Sequence, residues 1–107
     1  TFRCISCGRI KPFEQADAGH FHSRRHMSTR FDELNVSAEC RACNRFSADH
    51  LIGYRENLIK KIGIQRFQLL EVKARSTKKW SCWELEELIK YYTILVKKLS
   101  EEKGIAT

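Results

Sequence analysis

The chain has very little proline, a single methionine and no long apolar run. Pro12 is its only proline, and no stretch approaches the roughly 18 apolar residues that a membrane span needs. It shows no internal repeat, low-complexity tract or secretory leader pattern. These absences exclude membrane-spanning helices, solenoids and collagen-like arrays. A reducing cytosol is the expected setting, because a disulfide framework belongs to secreted domains. The length of 107 residues suits one domain and not two. A core of that size is thin, so a structural metal would be a useful staple. The chain opens on Thr1, which points to a fragment or processed product.

What is present is basic charge and cysteine. Twenty Lys and Arg face thirteen Asp and Glu, a formal charge of +7. That balance favours an anionic partner such as nucleic acid. Four of the five cysteines form two pairs, Cys4–Cys7 and Cys40–Cys43. One Cys-x-x-Cys is weak, since redox motifs use it too. Two of them in a small chain match a tetrahedral Zn²⁺ site in which each pair forms a knuckle. Four thiolates around Zn²⁺ carry −2, which brings the effective excess nearer to about +5. Cys82 stands apart in a helical pattern and is expected to be a buried or half-buried thiol.

Along the chain, residues 1–47 have little helical periodicity. Short strands are predicted at Phe2–Cys4, Gly19–His22 and Leu34–Ala38, with a loop over His22–Arg30. From Arg41 the pattern turns helical: Leu51, Tyr54, Leu58 and Ile62 repeat at three and four, and Gly63 follows as a cap. Ile64–Arg75 reads as a shorter helix with Phe67, Leu70 and Val72 inward. Residues 73–79 form a basic connector. Ser81-Cys-Trp-Glu84 is a capping box. It opens a helix carrying Leu85, Leu88, Tyr92, Leu95 and Leu99, ended by Gly104. That stripe suits either core or a homodimer surface.

The stretch between the knuckles holds candidate chemistry. Phosphodiester hydrolysis needs a base poised near neutral pH, for which His is suited. It also needs a divalent cation on the phosphate, and a carbonyl or amide to fix the imidazole tautomer. His20, Asn35 and Asn44 offer such parts. A zinc clasp would close the intervening loop and bring His20 towards Asn44. Asn44 could instead simply cap the following helix. Arg24, Arg25, Arg30, Arg41 and Arg45 surround this region and are candidate phosphate contacts. Nothing suggests readout of base edges.

Asn35-Val-Ser-Ala-Glu-Cys-Arg-Ala-Cys-Asn44 resembles the second half of the HNH endonuclease motif, with Asp17-Ala-Gly-His20-Phe as its first. Cys4-Ile-Ser-Cys-Gly8, Arg30-Phe-Asp-Glu-Leu-Asn35, Tyr54-Arg-Glu-Asn-Leu-Ile59 and Trp80-Ser-Cys-Trp-Glu84 further resemble the NinG (Rap) recombination endonuclease family of lambda-like phages. The resemblance implies an α+β fold: a zinc-stabilised ββα-metal core over residues 1–62, followed by a helical extension over 63–107. It implies a metal-dependent, structure-specific endonuclease that cuts branched DNA such as D-loops and Holliday junctions and leaves 5′-phosphates. In that scheme His20 activates water, Asn35 braces the loop and Asn44 holds Mg²⁺ or Mn²⁺. A bacterial host cytoplasm, a phage or prophage gene and an absent basic N-terminal region are implied too.

One position departs from the pattern. Many such enzymes carry a metal-binding Asp or His directly before the base, where this chain has Gly19. Asp17 is the candidate replacement, or His22, which a strand over Gly19–His22 places on the same face as His20. His50 falls about 600° around a continuous helix from Asn44, away from its face. Gly19 also supports a rival from another class, a non-catalytic zinc-ribbon adaptor that binds DNA or protein.

Overall fold

A computed structural model describes residues 1–103 of the chain; the helix end expected at Gly104 lies outside the described residues. The fold is mixed α+β. Strands β1 (Phe2–Arg3) and β2 (Ile10–Lys11) pair antiparallel around the first knuckle. Gly8 turns that knuckle with a φ of +75°, a region costly for residues bearing a Cβ. Strands β3 (Ala16–His20) and β4 (Val36–Cys40) form a second antiparallel pair, with Asp17 opposite Glu39, Gly19 opposite Ser37 and His20 opposite Val36. The Ile5 amide donates to the Ala38 carbonyl at 3.0 Å, which ties the first knuckle to β4.

Helix α1 (Arg41–Phe46) follows β4 with no intervening residue. Helix α2 (His50–Ile62) and helix α3 (Ile64–Ala74) meet at Gly63. With φ +88° and ψ 155°, Gly63 ends one helix and starts the next, in a region only glycine occupies readily. Tyr54, Leu58, Phe67 and Leu70 make the buried core, with Ile5, Phe21 and Leu34 packed against it. The Tyr54 hydroxyl donates to the Gly19 carbonyl at 2.7 Å. A Cβ on Gly53 would overlap the Ser6 carbonyl, so this glycine lets α2 lie directly on the first knuckle.

Helix α4 (Cys82–Lys103) opens on the predicted capping box. The Glu84 amide donates to Ser81 Oγ at 3.1 Å, and the Ser81 amide donates to Glu84 at 3.2 Å. The helix is anchored by its entry and first turns. Trp80 packs edge-on to Phe31, and the Tyr92 hydroxyl donates to Glu33 at 3.1 Å.

Several expectations need correction. The strand expected at Gly19–His22 starts earlier and stops at His20, so alternation does not extend to His22. The run from Arg41 is two helices, broken over residues 47–49, where Ser47 is extended. Leu51 and Val72, expected on apolar faces, are 41% and 62% exposed. Cys82 is exposed, not buried. Among the described residues no helix is long and apolar enough to cross a membrane.

Candidate functional site

The four paired cysteines converge. Their sulfurs all lie within 4.8 Å of one another, and those of Cys7 and Cys40 are 4.0 Å apart. Bonds of about 2.3 Å to a tetrahedral Zn²⁺ would put sulfurs about 3.8 Å apart, so this donor set fits the ion. The backbone is arranged for thiolates as well: Cys4 Sγ accepts from the amides of Cys7 at 3.4 Å and Cys40 at 3.3 Å. Burial pushes the Cys4 thiol up, but the amides of Cys40, Cys7 and Ser6 outweigh it and its pKa falls to about 7. Burial and the neighbouring Cys40 and Cys7 thiols push Cys43 up. Four adjacent thiols cannot all ionise alone, whereas a bound divalent cation removes that conflict.

The β3–β4 pair and the helices after it create a cleft of about 690 Å³, lined by His20, Arg24, Arg25, Asn44 and His50 among others. His20 and Asn44, remote in sequence, thus face one space. The His20 ring is pinned by a 2.9 Å bond between Nε2 and the Arg30 carbonyl. A carbonyl only accepts, so Nε2 carries the proton and the neutral ring keeps its lone pair on Nδ1.

Asn35 is fully buried and spans the loop after His20. Its Oδ1 accepts from the His22 amide at 2.8 Å, while Nδ2 donates to the carbonyls of His22 at 2.9 Å and Thr29 at 3.1 Å. Three such bonds hold the segment whose Arg30 carbonyl fixes His20. Asn44 Nδ2 donates to Asp17 at 3.1 Å. Because a carboxylate only accepts, the Asn44 amide oxygen is left as its free donor atom for a cation.

Asp17 departs from its expected role as an ion ligand. Both of its oxygens are engaged by Arg45, at 2.9 and 3.2 Å, and one also accepts from Asn44. Bonds from Asn44 and Arg45 hold its carboxyl below the usual range. A guanidinium already occupies the place a cation would take, so Asp17 orients Asn44 instead. Arg45 is thereby paired with Asp17, with its side chain 53% exposed. Arg41 donates to the Glu14 carbonyl at 2.9 Å. Arg30 lies over the Phe31 ring, while Arg24 and Arg25 are exposed beside the cleft. His22 lies beyond the strand end and faces a separate cavity with His26, Glu71 and Arg75; burial, then His26, pushes its pKa down.

Glu39 was not anticipated in this region, and His50, expected to lie away from the Asn44 face, lines the same cleft as Asn44. Glu39 is fully buried; one oxygen accepts from His50 Nδ1 at 2.6 Å and from the Ser6 hydroxyl. Its other oxygen, Oε1, is buried without a partner. A Cβ on Gly19 would lie 2.7 Å from the Glu39 Cβ and would overlap Oε1. Gly19 is therefore required by space. The space above Gly19 is filled by the Glu39 side chain of the facing strand. Gly19→Ala is expected to cost about 1–3 kcal/mol through overpacking, read as a lowered thermal midpoint in the zinc-loaded protein. An unchanged midpoint would show that Glu39 swings away freely.

A family model described as "Bacteriophage Lambda NinG protein" matches residues 2–102. The chain belongs to the NinG family. Its relatives include the protein ninG of Salmonella phage P22, 32% identical over 96% of this chain and 50% of that protein. The protein ninG of Escherichia phage lambda is 30% identical over 96% of the chain and 50% of its own length. That of Enterobacteria phage H19B is 34% identical over 78% and 40%. The chain thus spans about half the length of the curated relatives it matches. No solved structure matches it.

Proposed function

We propose that this NinG-family chain is the nuclease core of a metal-dependent endonuclease of the HNH type, acting on branched DNA. The observation that carries the reading is the shared cleft: a tautomer-fixed imidazole and an oriented carboxamide face one space beside two exposed arginines. In this reading β3, β4 and α1 are the ββα unit. His20 Nδ1 takes the proton of the attacking water. Asn35 keeps the 22–30 loop in the shape that presents the Arg30 carbonyl. Arg24 and Arg25 hold the DNA backbone, so shape and charge rather than sequence would select the substrate.

A Mg²⁺-class ion held through the Asn44 oxygen would polarise the phosphate and steady the leaving oxygen. Among the described residues, only the four cysteines gather three or more His, Cys, Asp or Glu ligand atoms closely enough to hold an ion. A water-rich ion with few protein ligands, as Mg²⁺ accepts, is the kind this donor set suits. The deciding experiment is cleavage of a labelled four-way junction by zinc-loaded protein with and without added Mg²⁺ or Mn²⁺. Metal-dependent nicking supports the reading. Tight binding with no nicking under any condition replaces it with the adaptor.

The α4 face supplies a homodimer surface in the same proposal. Ile89 and Val96 are 66% and 55% exposed, and with Leu85, Leu88, Tyr92 and Phe31 they line an open apolar groove of about 800 Å³. Two active sites would suit a symmetric junction. Sedimentation should give twice the monomer mass, and Ile89→Glu should return it to monomer; a monomeric wild type removes this part.

A further inference from the structure

The Glu39–His50 pair has no role in the scheme above, yet it is built like a ligand support. His50 is the first residue of α2 and its ring lines the same cleft as His20 and Asn44. Nδ1 is bonded at 2.6 Å to the Glu39 carboxylate. A carboxylate only accepts, so Nδ1 carries a proton and Nε2 is the nitrogen left to act. Histidines that bind metals are commonly held this way, with a carboxylate fixing ring and tautomer. Glu39 is itself held by Ser6, inside the first knuckle. The chain Ser6–Glu39–His50 therefore connects the cysteine cluster to the cleft. Glu39 is fully buried, and its Oε1 lies against Gly19 without a partner, outside the lining of the cleft. A buried carboxylate oxygen left unmet calls for a charge or water nearby.

Resting on the reading that the cleft holds a divalent ion, we propose that His50 is a second protein ligand of that ion, through Nε2, and that Glu39 is its positioning residue. The ligand set then becomes one imidazole nitrogen and one carboxamide oxygen, completed by water. A mixed nitrogen and oxygen set of this kind favours Mn²⁺ and later transition metals over Mg²⁺.

The test uses the whole zinc-loaded chain and Mn²⁺ as the probe, with affinity read by titration and coordination by pulsed electron paramagnetic resonance. Bound Mn²⁺ should show the modulation of one coordinated imidazole nitrogen. His50→Ala should abolish that signal and weaken Mn²⁺ binding by at least about tenfold, with zinc content unchanged. His20→Ala should keep the signal. Since His50→Ala strands the buried Glu39 charge, the double variant Glu39→Gln/His50→Ala removes that charge and should show the same loss in a folded chain. If Asn44→Ala weakens Mn²⁺ binding but His50→Ala leaves affinity and modulation intact, the ligand assignment is wrong while the cleft reading stands. Wild-type protein that binds no Mn²⁺, or binds it independently of both residues, overturns the two together.

Discussion

Removing the zinc, or replacing Cys40 by Ser, will unfold this chain at room temperature. Cys40 is the junction of the whole arrangement. It ends β4, precedes α1 directly, and is 2% exposed beside the equally buried Cys4. Its amide donates to Cys4 Sγ, so the two knuckles share a hydrogen bond as well as the metal site. The rest of the fold cannot substitute for that clasp. The sheets are two-stranded, and isolated two-stranded pairs are marginal in water. The central buried cluster has four side chains, and Ile5 and Leu34, which pack against it, come from the segments the clasp positions. Structural zinc contributes apparent free energies of about 10–16 kcal/mol in zinc-finger peptides, comparable to a domain's entire stability of about 5–15 kcal/mol. The expected result with a strong chelator is loss of the cooperative thermal transition and of most helical ellipticity. Re-adding Zn²⁺ should restore both. Cys82→Ser is the matched control: that thiol is exposed, so zinc content and thermal midpoint should not move. A Cys40→Ser protein that melts like wild type would show that the metal is incidental to the fold.

The cysteine cluster and the helices were legible because local signals carry them. Knuckle spacing, the capping box at Ser81–Glu84 and the repeat of Tyr54, Leu58, Phe67 and Leu70 depend on neighbours within a few residues. Asn44 was singled out because it directly follows Cys43, and Asn35 because residues 35–44 resemble a known motif. What escaped was set by strand register. Glu39 lies over Gly19 only because Asp17 pairs with Glu39 and Gly19 with Ser37, and one residue of slip would turn the carboxylate to the other face. Nothing within either strand states that register. His50 escaped for a different reason: the angular argument assumed one helix from Asn44, whereas the break over residues 47–49 re-aims the chain. The leucine stripe of α4 was legible as apolar, but a helix face looks alike in sequence whether it covers a core or awaits another chain. The pairing of Asp17 with Arg45 was not legible because Arg45, on α1, meets β3 across the fold and not beside it in sequence.

His20→Ala should lower junction cleavage by about 10²–10⁴-fold, the usual contribution of a positioned general base, while DNA affinity and its salt dependence stay at wild-type values. The ring is half-buried and makes one bond, to the Arg30 carbonyl, so truncation costs about 1 kcal/mol of stability and spares the zinc cluster. The phosphate contacts assigned to Arg24 and Arg25 are untouched by it. By contrast, Arg24→Ala and Arg25→Ala should each weaken binding to all DNA forms alike and reduce the salt slope by about 1. His20→Gln then separates chemistry from architecture. Glutamine can donate to the Arg30 carbonyl but cannot take a proton from water near neutral pH. If the bond to Arg30 is what matters, His20→Gln will recover cutting; if the Nδ1 lone pair matters, it will be as inactive as His20→Ala. A main-chain carbonyl that takes the Nε2 proton leaves Nδ1 as the only nitrogen of that ring able to act as a base. Wild-type cutting by either variant would therefore move the base elsewhere in the cleft, with His50 as the remaining imidazole there.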